Sequence, residues 1–257
     1  MRRSHLQSAD FGSACGATDR TVPVGSRLWP EVRTVRECYT GGRSVGLRLI
    51  RQLTTFVRLL LRGDVAELRY RAWNKWKGVD FAFATTPALA VPPFNSHDSS
   101  GGPILAGVFR RLGIPSGSVA LDLGSGKGSA ALTLSRVGLA EVIGVELSEE
   151  LVQVARRNAQ RLGRRNVRFI QANAAAFRDY DAVTHIFMYN PFPCEVMRQV
   201  MANLSVSLQR APRQMTIVYR NPLCHDVIVA SELFEAGPEQ RHRPDPHPWR
   251  TYRSRRS

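Results

Sequence analysis

Leu121-Asp122-Leu123-Gly124-Ser125-Gly126-Lys127-Gly128 is the stretch on which the reading of this chain turns. It follows a short apolar run, Ser118–Leu123, that reads as a strand, and it leads into Ser129–Val137, which reads as a helix. Glycines between a strand and a helix let the backbone turn tightly and come close to a ligand. The helix start adds unpaired N–H groups and a partial positive charge. Together these features can hold a phosphate or a carboxylate.

Outward from this loop, strands and helices alternate. Ile104–Leu112 is expected as a helix before it. After it come a strand at Glu141–Glu146, a helix at Glu149–Leu162, strands at Val167–Ala172 and His185–Tyr189, a helix at Glu195–Leu208 and a strand at Met215–Tyr219. The strands are short apolar runs, as strands covered on both faces should be. The pattern predicts an α/β fold, a doubly wound and mostly parallel Rossmann-like sheet. The expected organisation is an irregular N-terminus over residues 1–42, a basic helical extension and connector over 43–103, the nucleotide-type domain over 104–237, and a basic tail over 238–257. Within that tail, Trp249–Tyr252 reads as a last edge strand of a sheet cut short at that side.

The second strand ends in Glu146, eighteen residues after Gly128. A carboxylate there can accept both hydroxyls of a ribose. Loop plus acid marks an adenosine ligand, either a dinucleotide or S-adenosylmethionine. Two residues favour the latter. Position 129 is Ser where the dinucleotide fingerprint has Gly or Ala, and Asp122 would repel a pyrophosphate but attract the ammonium of a methionine moiety.

These segments resemble class I S-adenosylmethionine-dependent methyltransferases over about residues 95 to 230. The stretch 121–128 is similar to their first motif, and Glu146-Leu147 matches their acidic position after the second strand. Gln171-Ala172-Asn173-Ala174 is similar to their adenine-contacting segment. Tyr189-Asn190-Pro191-Phe192-Pro193 lies where their fourth motif lies. The resemblance implies that Asp122, Gly124, Ser125, Gly126 and Gly128 hold the methionine part, Glu146 and Leu147 the ribose, and Asn173 and Ala174 the adenine. It assigns Asn190, Pro191 and Phe192 to the methyl acceptor. In amine-modifying members the fourth motif reads Asn/Asp-Pro-Pro-aromatic; here Phe192 is third and Pro193 fourth, which weakens a planar-base reading but not an amine. The acceptor classes left open are a protein lysine, a nucleic-acid amine and a small molecule. The alternatives are an NAD(P)-dependent oxidoreductase and a non-catalytic nucleotide-binding protein of the same fold.

Outside the motifs, the net charge is +15, a field that attracts phosphate-rich or anionic surfaces, although arginine bias alone can produce it. Residues 44–76 carry apolar residues at three- and four-residue spacings with arginines between, broken at Gly63-Asp64. Such a basic amphipathic extension either packs on its own domain or recruits an anionic partner. His97, in the loop Phe94–Ser100, is a candidate general base, and His185, in an apolar strand, reads as structural. The cysteines Cys15, Cys38, Cys194 and Cys224 form no Cys-x-x-Cys pair, so neither a metal site nor a disulfide framework is expected, and a cytoplasmic setting fits. No apolar run is long enough to span a membrane.

Overall fold

In the computed structural model, residue 57, residues 65–81 and residues 100–255 are described. The expectations for residues 1–42, for the first half of the helical extension and for His97 with its loop lie outside them.

Among the described residues, helices and strands follow in order: α1 Val65–Trp76, α2 Pro103–Arg111, β1 Val119–Leu123, α3 Ser129–Leu134, β2 Glu141–Glu146, α4 Glu149–Arg161, β3 Val167–Gln171, β4 His185–Tyr189, α5 Cys194–Arg210, β5 Thr216–Arg220, α6 His225–Ala230, β6 Phe234–Ala236, β7 Gln240–Arg241 and β8 Pro248–Ser254. They build one sheet in the order β3-β2-β1-β4-β5-β8-β6, with β7 on β8. The first five strands are parallel, and β8 runs antiparallel to β5 and β6. This is the expected α/β architecture, with each strand from β1 to β5 within a residue or two of its expected bounds.

Side chains alternate across a strand, and that alternation splits the core in two. Leu121, Leu123, Ile186, Met188 and Ile217 meet Met197, Val200 and Leu204 of α5 on one face. Ala120, Val142, Phe187 and Val218 meet Phe109 of α2, Leu134 of α3 and Val152 of α4 on the other. Asp122 therefore points with the even-numbered residues toward α3. The helix α4 starts on Ser148, whose side chain accepts from Leu151 N at 3.4 Å, with Glu149 and Glu150 in its first turn.

Two expectations are corrected. The tail is not an edge strand on a shortened sheet: β8 inserts between β5 and β6, with Trp249 and Tyr252 buried, so the last hairpin is complete. Its burial on both faces overrides the polar look of Pro248–Ser254. The second correction concerns the cysteines. Cys194 and Cys224 form a disulfide, because β4 and β5 are neighbours and each cysteine follows its strand by a few residues. The helices α6 and the short strands β6 and β7 had no clear periodic signal. Among the described residues, no helix is long and apolar enough to cross a membrane.

The disulfide closes a ring across a sequence separation of 30. Reducing it, or replacing both cysteines by serine, is expected to lower the unfolding free energy by about 3–4 kcal/mol, the loop-closure entropy of a ring of that size. Denaturant melts with and without reductant check this; coincident midpoints would mean that the bond adds nothing.

Candidate active site

The loop after β1 is held to the neighbouring strand by its own amides. Gly124 N and Ser125 N both donate to Val145 O, at 2.9 and 3.0 Å, and Gly128 N closes the turn on Ser125 O at 2.8 Å. Gly124 has φ 78°, and a Cβ there would lie 2.4 Å from Cβ of Pro191. Gly128 has φ 83°, and its Cβ would lie 2.6 Å from the Phe169 ring. Both positions demand glycine, by backbone conformation and by space. Thus Pro191 packs on the glycine loop, which brings the segment after β4 against the segment after β1.

Glu146, at the carboxyl end of β2, reaches into this loop. Its Oε2 accepts from Gly126 N at 2.9 Å and its Oε1 from Ser148 N at 3.0 Å. The carboxylate is fixed by two backbone donors and remains partly exposed. Leu147 beside it is exposed. The hydroxyl of Ser125 is buried without a hydrogen-bond partner, a polar atom that needs an explanation.

Asp122 is 2% exposed, and its Oδ2 accepts from Ala131 N, in the first turn of α3, at 3.0 Å. Burial pushes its carboxyl up to about 7; the Ala131 amide opposes the shift and the nearby Glu146 charge adds to it. The carboxyl is thus poised to change charge near neutrality.

Asn173 and Ala174 stand just past β3, which continues beside Glu146 through Ala172 N to Glu146 O at 2.9 Å. The Asn173 side chain accepts from Ala175 N at 2.9 Å and so shapes its own turn. Asn190, at the end of β4, is left-handed with φ 40°, a conformation asparagine tolerates. Phe192 departs from expectation. It is 3% exposed and lies in the α5-side core with Val196 and Met197, so it offers no ring face to an acceptor. The Pro193 that follows it starts α5 and turns the aromatic inward. His185 is buried, with Nδ1 2.9 Å from Thr184 Oγ1, as a structural histidine would be. Among the described residues no group of His, Cys, Asp and Glu could hold a metal ion.

The structure adds residues that the motifs did not announce. Asn221, at the end of β5, is also left-handed, with φ 53°. Tyr189 pairs with Arg220 across β4 and β5, so Asn190 and Asn221 follow the two strands side by side, each before a proline. That doubling was visible in Asn190-Pro191 and Asn221-Pro222. Beside it, the Arg220 guanidinium lies 4.0 Å over the Tyr189 ring and pairs with Asp245, Nε to Oδ2, at 2.7 Å. Asp245 also accepts from Trp249 Nε1 at 2.7 Å and His247 N at 3.0 Å. No sequence signal predicts this cluster, because it needs the antiparallel register of β8 on β5.

From behind, the glycine loop is tied to the extension. Asn158 of α4 is fully buried. Its Nδ2 donates to Lys127 O and to Asp80 O, both at 3.0 Å, and its Oδ1 accepts from Asp80 N at 3.0 Å. The Lys127 ammonium pairs with Asp80 at 2.9 Å.

A family model described as a methyltransferase domain matches residues 114–218. A probable cobalt-precorrin-6B C(15)-methyltransferase (decarboxylating) from Thermoplasma volcanium is 33% identical over 83 residues, which cover 31% of this chain and 41% of that protein. The chain thus spans less than half the length of that relative. Among solved structures, a ribosomal protein L11 methylase from Lactobacillus delbrueckii subsp. bulgaricus aligns with TM-score 0.46 and 16% identity, over 60% of this chain and 78% of the other. The magnesium protoporphyrin IX methyltransferase of Synechocystis PCC 6803 with bound S-adenosylmethionine aligns with TM-score 0.45 and 19% identity, over 60% and 76%. Residues 114–218 are thus similar to a methyltransferase domain, and the glycine loop, Glu146 fixed against it and the sheet order lie within or around that match.

Proposed function

We propose that this domain transfers the methyl group of S-adenosylmethionine to an amine nitrogen of an acceptor positioned at Asn190. The observation that carries the cofactor half of this reading is the Glu146 carboxylate, fixed by Gly126 N and Ser148 N at the mouth of the glycine loop. The donor set fits the group: Glu146 for ribose hydroxyls, the loop amides for the methionine carboxylate, and the unpartnered Ser125 hydroxyl as a further polar contact. When bound, the cofactor supplies an already activated methyl group. The chain has to hold it, orient the acceptor and leave the acceptor's proton a way out.

Asn190 supports the acceptor half. It ends the strand next to β1, and Pro191 after it rests on Gly124. An amide there can accept from an amine and align its lone pair. Protein lysine, a nucleic-acid amine and a small molecule all offer that atom. Methyl transfer to carbon is a second reading, favoured by the burial of Phe192, which removes a platform for a planar amine, and by the similarity to the Thermoplasma C(15)-methyltransferase. Proton and carbon resonance of the transferred label, after incubation with carbon-13-methyl cofactor and a metabolite extract, separates an N-methyl from a C-methyl product.

Calorimetric titration tests the cofactor site directly. Wild type is expected to bind S-adenosylmethionine and its demethylated product, and Glu146→Ala to lose at least about tenfold in affinity, the worth of one charge-assisted contact. A folded wild type that binds neither would remove the reading and bring a nicotinamide cofactor forward.

Asp122 gives a pH signature. Its carboxyl titrates at about 7 when the site holds no cation, and an ammonium beside it would favour the ionised form. Binding then releases a proton below neutrality. Affinity for the demethylated product should therefore rise with pH up to about 7, by at most about tenfold per unit, and level off above. Asp122→Asn should abolish the slope. A flat profile in wild type would place the ammonium elsewhere.

A further inference from the structure

The helix α1 has two unlike faces. Inward, Tyr70 Oη lies 3.3 Å from Thr133 Oγ1 of α3, and Asn74 is buried while its carbonyl accepts from Val79 N at 2.9 Å. Outward, Val65 is 61% exposed, Trp73 45% and Trp76 72%. These three lie on one helical stripe, with Arg69, Arg71 and Lys75 exposed around them. Indoles normally gain much by burial, so two of them left in solvent, three residues apart, mark a surface that something else covers.

The basic residues at this face are of an unusual kind for the chain. Its 36 cationic side chains include only the lysines Lys75, Lys77 and Lys127, and two of these flank Trp76. An arginine-rich composition does not account for that placement. The Lys77 ammonium sits 4.9 Å from the Trp73 ring and 4.5 Å from the Trp76 ring.

We propose that this outer face of α1 docks on the surface of an anionic lipid bilayer. Indole and aliphatic groups suit the boundary between headgroups and acyl chains, where lysines lay their stems along apolar surface and reach lipid phosphates with their ammonium groups. The formal charge of +15 adds attraction to a negative surface. Single-stranded nucleic acid fits less well. Bases stack on open, flat rings, whereas these rings are tilted by 51° at 5.1 Å and share Lys77 over them. The proposal stands on α1 alone and does not depend on the methyl acceptor or on methyl transfer.

Co-sedimentation of the full chain with vesicles tests it. One set contains phosphatidylcholine only and the other a phosphatidylglycerol fraction, each at low and high salt. Wild type is expected to pellet with the anionic vesicles and to be released by salt. The double variant Trp73→Ala, Trp76→Ala should bind at least about tenfold more weakly, and Lys75→Glu, Lys77→Glu should do the same. Thermal melts matching wild type exclude unfolding as the cause; if the alanine pair melts early, Trp73→Ser with Trp76→Gln provides the polar alternative. Three outcomes would overturn the proposal: no binding of wild type to anionic vesicles, equal binding by the tryptophan variant, or loss of binding to a single-stranded RNA oligonucleotide in that variant without any vesicle binding by wild type.

Discussion

Five residues, Gly124 to Gly128, pass through a space that leaves no room for a side chain at Gly124 or Gly128, and every neighbour contributes to holding them there. The strand β2 supplies Val145 O for two amides and the Glu146 carboxylate for a third. The segment after β4 supplies Pro191 against Gly124, and α4 supplies the Asn158 amide on Lys127 O. A loop held from three sides loses little freedom when a ligand arrives, and preorganisation of this kind is what makes a backbone cradle bind. It also fixes the position of Asn190, because Pro191 cannot move without disturbing Gly124.

The same constraint explains why the extension belongs to the fold. Asp80 meets Asn158 through both its N–H and its carbonyl, and its carboxylate meets Lys127. Gly101 N donates to Ser129 Oγ at 3.1 Å, and Gly102 N to Thr133 Oγ1 at 3.0 Å. The start of α3, which has Gly128 at its N-cap and the Asp122 carboxylate on Ala131 N, thus carries the preceding chain on its Ser129 and Thr133 hydroxyls. The exposed face of α1 is therefore only a few residues from the back of the glycine loop.

The central strands were legible because burial on both faces writes short apolar runs, and the glycine loop and Glu146 because their chemistry is local to one strand-turn-helix unit. What escaped depended on partners far along the chain. Trp249–Tyr252 was legible as a strand but not as an inner one: its place between β5 and β6, which buries Trp249 and Tyr252, depends on pairing with both. The Arg220–Asp245 pair, with Asp245 receiving donors from Arg220, His247 and Trp249, exists only once that register is set. Phe192 looked like an acceptor platform from its place in a motif, but Pro193 and the start of α5 rotate it into the core. Asp122 was legible as an acid near the loop; its orientation toward α3 follows from strand alternation, which the motif comparison did not use.

The bond between Cys194 and Cys224 also has a consequence for handling the protein. The ring it closes contains all of α5 and all of β5. A protease that cut within that ring would leave two pieces still joined, so a nicked chain would keep its full mass on a denaturing gel run without thiol and separate only in its presence. Integrity judged by a non-reducing gel would thus be blind to damage in the part of the chain that carries the second Asn-Pro turn.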